Sequence, residues 1–160
     1  MDFTFVTGLD HPAEIGALFG EYTDMLVAGD ASFAGYLAQQ NYDEELRHLE
    51  KKYGPPDGRL LLALCGGEAA GCAALRRIDE SRCEMKRLYV RPAFRGRGLG
   101  RALSERIVAD ARALGYREML LDTLPFLTEA IALYRSLGFE EVAQYNDSPM
   151  SDAISLRLSL

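Results

Sequence analysis

The stretch Leu88-Tyr89-Val90-Arg91-Pro92-Ala93-Phe94-Arg95-Gly96-Arg97-Gly98-Leu99-Gly100-Arg101-Ala102-Leu103 holds the residue types best suited to chemistry. Glycines let backbone N–H groups approach an anion closely, and the first turn of a following helix carries unpaired N–H groups with partial positive charge. A strand, a glycine-rich turn and a helix start in that order read as a phosphate-binding site. A nucleoside-triphosphate loop would end in Gly-Lys-Ser/Thr, whereas Gly100 is followed by Arg101 and Ala102. The dinucleotide fingerprint fails too, because its third glycine would fall at Arg101. A disordered Arg-Gly tract that binds RNA is disfavoured, since ordered patterns flank the turn and the tract does not repeat.

Charge supports the same segment. Between Arg82 and Arg106 stand eight basic residues and two acidic ones, a local net of +6 in a chain whose 18 Lys and Arg and 24 Asp and Glu sum to −6. A positive segment in an acidic protein suggests a bounded anionic ligand, although a solvated helix face explains some of these arginines without one. The overall negative charge argues against nucleic acid or an acidic membrane as partner. Cys65, Cys72 and Cys83, with His11 and His48, form no zinc pattern, so no metal is expected and the thiols are read as buried and free. Cys83 beside Glu84 is a weaker alternative as a nucleophile. His48, among Asp43, Glu44, Glu45 and Glu50, reads as a surface residue.

The elements that position the loop follow from periodicity. At 160 residues and 48% hydrophobic, residues 1–160 read as one domain able to bury a core. A first strand is expected over 3–6. Asp10 as N-cap with Pro12 then starts a helix carrying Ile15, Leu18, Phe19, Tyr22 and Leu26, which Gly29 ends. A second helical stretch, in one or two pieces, has Phe33, Tyr36 and Leu37 before Asn41 and Leu46, Leu49 and Tyr53 after it, and Gly54-Pro55-Pro56-Asp57-Gly58 breaks it. Strands over 60–65 and 69–75 enclose a Gly66-Gly67 turn, and a third strand spans 83–90. A helix over 99–114 turns Leu103, Ile107, Val108 and Ala111 to one side. A strand over 118–123, a helix over 128–137 and strands over 140–145 and 153–158 complete an α/β (α+β) fold, a mixed sheet with helices on both faces. No apolar run approaches the ~20 residues that span a bilayer, and no basic-then-apolar leader opens the chain, so a cytoplasmic location is expected.

Arg95-x-x-Gly98-x-Gly100 resembles the Arg/Gln-x-x-Gly-x-Gly/Ala loop by which the GNAT superfamily of N-acetyltransferases grips the pyrophosphate of acetyl-CoA. Ala132-Leu133-Tyr134-Arg135-Ser136-Leu137-Gly138-Phe139 is similar to the Ala-x-x-Leu-Tyr-x-x-x-Gly-Phe region of the same superfamily. The resemblance covers about residues 60–139. It implies a central sheet of about seven strands, in which the strand over 83–90 splays from that over 118–123 at a β-bulge and leaves a cleft for the pantetheine arm. Backbone groups of Leu88 and Val90, with Tyr89 between them, would meet the acetyl and pantetheine groups. N–H groups of Arg95, Gly96, Arg97, Gly98, Leu99, Gly100 and Arg101 would hold the pyrophosphate.

The implied reaction moves an acetyl group directly from acetyl-CoA, as co-substrate, to a primary amine of a small molecule, amino acid or peptide, with neither metal nor covalent enzyme intermediate. Tyr134 would protonate the leaving thiolate, the alternative being a core tyrosine beside Leu133 and Leu137. Glu84 and Asp122 are the candidate bases. Glu84 shares a strand face by alternation with Lys86, Leu88 and Val90, or else it pairs with Lys86 or Arg87; Asp122 could instead cap a turn before Pro125. Leu127 stands where many relatives carry an asparagine that contacts the CoA arm. Acceptor choice is expected from the first two helices, including the acidic Asp43-Glu44-Glu45, and from the loop over 145–150. A CoA-binding sensor without catalysis is the alternative function, and a homodimer is compatible with an exposed last strand.

Overall fold

The computed structural model describes residues 2–35, 41–148, 150 and 152–160. The helical expectation at Tyr36 and Leu37, and Pro149 of the acceptor loop, lie outside the described residues. The elements in chain order are β1 (Thr4–Thr7), α1 (Pro12–Gly29), α2 (Tyr42–Arg47), α3 (Leu49–Tyr53), β2 (Arg59–Cys65), β3 (Glu68–Arg77), β4 (Arg82–Val90), α4 (Leu99–Ala113), β5 (Glu118–Thr123), α5 (Thr128–Ser136), β6 (Glu140–Val142) and β7 (Ile154–Ser159). The strands form one seven-stranded sheet in the order β1-β2-β3-β4-β5-β7-β6. All neighbours run antiparallel except β4 and β5, which are parallel and joined through α4.

Both sheet faces are buried, which is why β2 and β3 read as nearly continuous apolar runs. On one face Leu103, Ile107 and Ala111 of α4 pack on Ala63, Ala73, Cys83 and Met119. On the other, Ile15, Leu18 and Phe19 of α1 and Tyr53 of α3 cover Leu60, Leu62, Cys72 and Ala74. The hairpin turn uses positive φ at Gly66 (59°) and Gly67 (85°), which non-glycine residues adopt at a cost. Among the described residues no helix is long and apolar enough to cross a membrane.

Three local expectations change. Asp10 does not cap α1: it belongs to a short 3-10 turn, Gly8–Asp10, capped by Thr7, so His11 occupies the N-cap ahead of Pro12. The second helical stretch is broken at His48, whose ψ of 60° is not helical. The strand expected over 140–145 stops at Val142, because the following segment leaves the sheet and carries Tyr145 to Glu84.

The largest departure lies in β4. Between Cys72 and Ala74 the register on β3 advances two residues, while β4 runs three, from Tyr89 to Lys86. The extra residue is a β-bulge with Arg87 at φ 60°. It resets the alternation, so Glu84, Lys86, Leu88 and Val90 do not share a face. Leu88 and Val90 pack toward the α4 side with Cys83 and Met85, while Tyr89 joins the α1 side. Beyond the bulge β4 also parts from β5: the two pair only from Arg82 to Glu84 against Glu118 to Leu120.

Candidate active site

The parting of β4 and β5 opens a cleft of about 550 Å³, within the range of small-ligand sites. Leu88, Tyr89 and Val90 form one wall, Leu127, Thr128, Ala130, Leu133 and Tyr134 the other, and Arg95, Gly96, Gly98, Leu99 and Gly100 one end. Gly96 and Gly98 adopt φ of 78° and 79°, and Gly98 is the N-cap of α4 without any side-chain cap. The first helical bond runs from Ala102 N to Gly98 O at 3.0 Å. Among the described residues, no backbone carbonyl accepts from the N–H groups of Gly96, Gly98, Leu99, Gly100 and Arg101. This unsatisfied row of donors at a helix start suits a diphosphate ester.

The arginines of the loop brace it against its neighbours. Arg95 donates from Nε to Val90 O at 2.9 Å and lies 5.7 Å from the Tyr89 ring centroid, bracing the end of β4. Arg97 stacks over Phe94, and Arg101 donates to Ser136 Oγ at 2.6 Å, tying α4 to α5. The remaining basic residues of the segment are engaged elsewhere: Arg82 with Asp79, Arg91 with Glu21, Arg106 with Asp110, and Arg87 with Glu45. Four of the eight basic residues are thus held in ion pairs, and of the loop arginines it is Arg95 that lines the cleft.

A smaller cavity of about 50 Å³ continues inward, sharing Tyr22, Leu88, Leu127 and Tyr134 with the cleft. Lys86 from β4 and Asp122 from β5 line it, as do Leu26, Phe33, Leu124, Ser148 and Met150. Tyr134 packs edge-on against Phe139, with ring centroids 5.8 Å apart, and its hydroxyl has no partner among the described residues. Burial raises its pKa far above that of a free phenol, with Tyr22 and Asp122 adding to the shift. Burial likewise pushes the Tyr22 phenol up to about 12. Asp122 accepts from Asn146 Nδ2 at 3.1 Å, a contact from the acceptor loop rather than a cap before Pro125.

Glu84 lies apart from both cavities. It is 2% exposed, takes Arg76 Nε at 3.0 Å and the Tyr145 hydroxyl, and has Lys86 Nζ 4.0 Å away. Burial would raise its carboxyl, yet Lys86, Tyr145 and Arg76 together hold it below the ordinary range. Cys83 faces the α4 core, and burial pushes its thiol up to about 12, which removes the nucleophile alternative. Cys72 is buried in the same way and Cys65 is half-buried.

Sequence reasoning missed Lys86 and Tyr22 as lining residues, and it missed the anchor of the bulge. Burial, with Arg87 and Lys52 nearby, pushes the Lys86 ammonium down to about 8 against the pull of Glu84 and Asp122. Tyr22 carried only an apolar-face signal, which cannot tell a core tyrosine from one at a cavity wall. Arg87 donates from Nε and Nη2 to Glu45 at 2.9 and 3.0 Å, and Glu45 also takes Lys52 Nζ at 2.7 Å and the Tyr53 hydroxyl at 2.9 Å. Glu45 is therefore a buried counter-ion and no part of an acidic wall. None of Asp43, Glu44 and Glu45 lines either cavity; Ser148 and Met150 of the acceptor loop do.

Comparison with known proteins agrees with this geometry. Residues 26–139 match the acetyltransferase (GNAT) family. The chain is 43% identical over 126 residues to an uncharacterized N-acetyltransferase of Schizosaccharomyces pombe, covering 78% of this chain and 77% of that one. An acetyltransferase of Streptococcus agalactiae superimposes with a TM-score of 0.79 at 23% identity, covering 99% of this chain and 98% of the other. An acetyltransferase of Salmonella typhimurium, solved with its cofactor acetyl-CoA, gives a TM-score of 0.66 at 21% identity over 99% of this chain and 94% of its own. These last two establish a shared fold, and the family match, with the S. pombe relative, establishes descent. The chain belongs to the GNAT family and is an acetyl-CoA-dependent N-acetyltransferase.

Proposed function

We propose that this chain transfers acetyl directly from acetyl-CoA to a primary amine held beside it, with no acyl-enzyme. The observation that carries the reading is the junction of two cavities at Tyr22, Leu88, Leu127 and Tyr134, one ending in unsatisfied N–H donors and the other lined by a carboxylate. Acetyl-CoA supplies the activated thioester. The N–H groups from Gly96 to Arg101 bind its diphosphate, and the backbone of Leu88 to Val90, freed from pairing with β5, binds along the arm. Preorganised donors of this kind stabilise the oxyanion that forms on attack, often by ~3 kcal/mol each.

The amine lone pair attacks the thioester carbonyl, the C–N bond forms, and the C–S bond breaks with its electron pair on sulfur. A lysine-like amine with pKa ~10 reaches the site protonated and must lose protons. Asp122, on the cavity wall, takes the first or passes it to water; the second leaves the nitrogen as the C–N bond forms and makes good the proton that the departing sulfur acquires. Glu84, held by Arg76, Tyr145 and Lys86, acts instead as the fixed counter-ion of that wall. Tyr134 donates to the departing sulfur; its raised pKa keeps the hydroxyl protonated across the neutral range, which suits a hydrogen-bond donor better than a free acid. Leu127 supplies an apolar contact where relatives carry an amide.

Two measurements test the reading. Calorimetry should show association with CoA and acetyl-CoA, and a panel of amines should contain acceptors that release free thiol from acetyl-CoA. Binding with no turnover on any amine would leave a non-catalytic sensor, and no binding would remove the cofactor site.

A further inference from the structure

The inner cavity carries opposite charges on its two splayed walls. Lys86 stands on β4 and Asp122 on β5, on the same cavity, and the Asp122 charge acts on the Lys86 ammonium. Among the described residues Arg76, Lys86, Arg87 and Lys52 cluster around two carboxylates, Glu84 and Glu45, with Lys86 and Arg87 the buried cations of the four, and Asp122 is a third carboxylate that faces Lys86 from the other wall. The first two are already engaged, Glu84 by Arg76 and Tyr145, and Glu45 by Arg87, Lys52 and Tyr53. The Lys86 side chain is only 9% exposed and, among the described residues, its nearest carboxylate oxygen is that of Glu84 at 4.0 Å, beyond hydrogen-bond length. A buried ammonium that shares its one ion-pair partner with Arg76 and Tyr145, and makes no hydrogen bond to it, can take a further anion from the cavity.

The rest of the cavity sets the size and polarity of that anion's carrier. Leu26, Phe33, Leu124 and Met150 form a small apolar cluster of their own along the cavity. Its volume of about 50 Å³ exceeds the ~10–15 Å³ needed to hold one water several-fold, which suits a compact small molecule and is too small for a folded chain segment.

We propose that the acceptor is a small α-amino acid: Lys86 takes its carboxylate, Asp122 aims its amine, and the apolar cluster receives its side chain. This rests on the transferase reading above and adds the substrate class. The product is an N-acetyl amino acid plus CoA thiol: the ammonium loses one proton through Asp122 before attack, the nitrogen forms the new C–N bond and loses a second, the C–S bond breaks with its electron pair on sulfur, and that second proton reaches the sulfur by way of the Tyr134 hydroxyl. Acetylation removes the positive charge that Asp122 favours, so the product is held less firmly than the acceptor.

The test compares alanine, valine and leucine with their carboxamides and with ethylamine, following thiol release from acetyl-CoA. The free acids should exceed their amides in kcat/KM by about tenfold or more, the range of a hydrogen bond to a charged group. Lys86→Met should bring the ratio near one, and Lys86→Arg should retain part of it. KM for the free acids should rise above about pH 8, where Lys86 loses its proton, while KM for the amides does not. Amides used as well as acids by the wild-type protein would overturn the amino-acid assignment while leaving the transferase intact. Thiol release with none of these compounds or any other amine would overturn both. Should Lys86→Met fail to bind acetyl-CoA in calorimetry, the acid-to-amide ratio of the wild type decides.

Discussion

Replacing Glu45 by alanine should destabilise the protein more than any exposed substitution on the same helix. The Glu45 and Arg87 side chains are 2% and 3% exposed, and the variant leaves the Arg87 guanidinium, the Lys52 ammonium and the Tyr53 hydroxyl without their shared acceptor. Removing one partner of a buried pair costs ~3–5 kcal/mol. The Glu45 carboxyl offers a second route to the magnitude. Burial would raise it, but Arg87 and Lys52 pull it down from 4.5 to about 2. At ~1.4 kcal/mol per pKa unit that is on the order of 3 kcal/mol, consistent with the first figure.

In a domain of this size each kcal/mol moves Tm by ~2–4 °C, so a fall of roughly 6–20 °C is expected. The sign of the pH effect follows from the lowered pKa: the stabilisation is complete above about pH 4.5 and is lost as the pH falls toward 2. Urea titrations at several pH values read both quantities, and Glu45→Ala should flatten the acid limb of the stability profile. Glu44→Ala, removing a half-exposed carboxylate 3.6 Å from Arg47, should change stability by less than ~0.5 kcal/mol. A Glu45→Ala loss under 1 kcal/mol with an unchanged acid limb would refute the idea that this pair anchors the bulge.

Four further substitutions probe the site. Tyr134→Phe should keep its affinity for acetyl-CoA in calorimetry while turnover falls by about tenfold or more; unchanged turnover removes the hydroxyl from the reaction. Asp122→Asn should lower turnover and move the rise of rate to more alkaline pH, because the amine must then arrive deprotonated. Glu84→Gln should leave that profile in place and lower the urea midpoint instead, and the reverse pattern would exchange their roles. Gly98→Ala meets no neighbouring atom but must hold φ near 79°, so it should cost ~1–2 kcal/mol of stability and weaken acetyl-CoA binding; an alanine accepted without loss would mean the loop is not preorganised.

Features written in short stretches of chain were legible from residue order. The strand, glycine turn and helix at 83–114, the α4 face of Leu103, Ile107 and Ala111, and the paired motifs ending at Gly100 and Phe139 depend on local periodicity and on φ angles that glycine alone adopts cheaply. Which acidic residue lines the inner cavity was a different kind of question. One extra residue at Arg87 reverses the facing of every side chain after it, and period-two alternation contains no mark of where such a bulge falls. Its anchor, Glu45, lies 42 residues away in the chain, and Lys86 acquires its cavity only because β4 and β5 separate beyond Glu84. Burial, partner and charge at Glu84, Lys86 and Asp122 are properties of elements brought together from afar, so they exist only once the sheet is assembled.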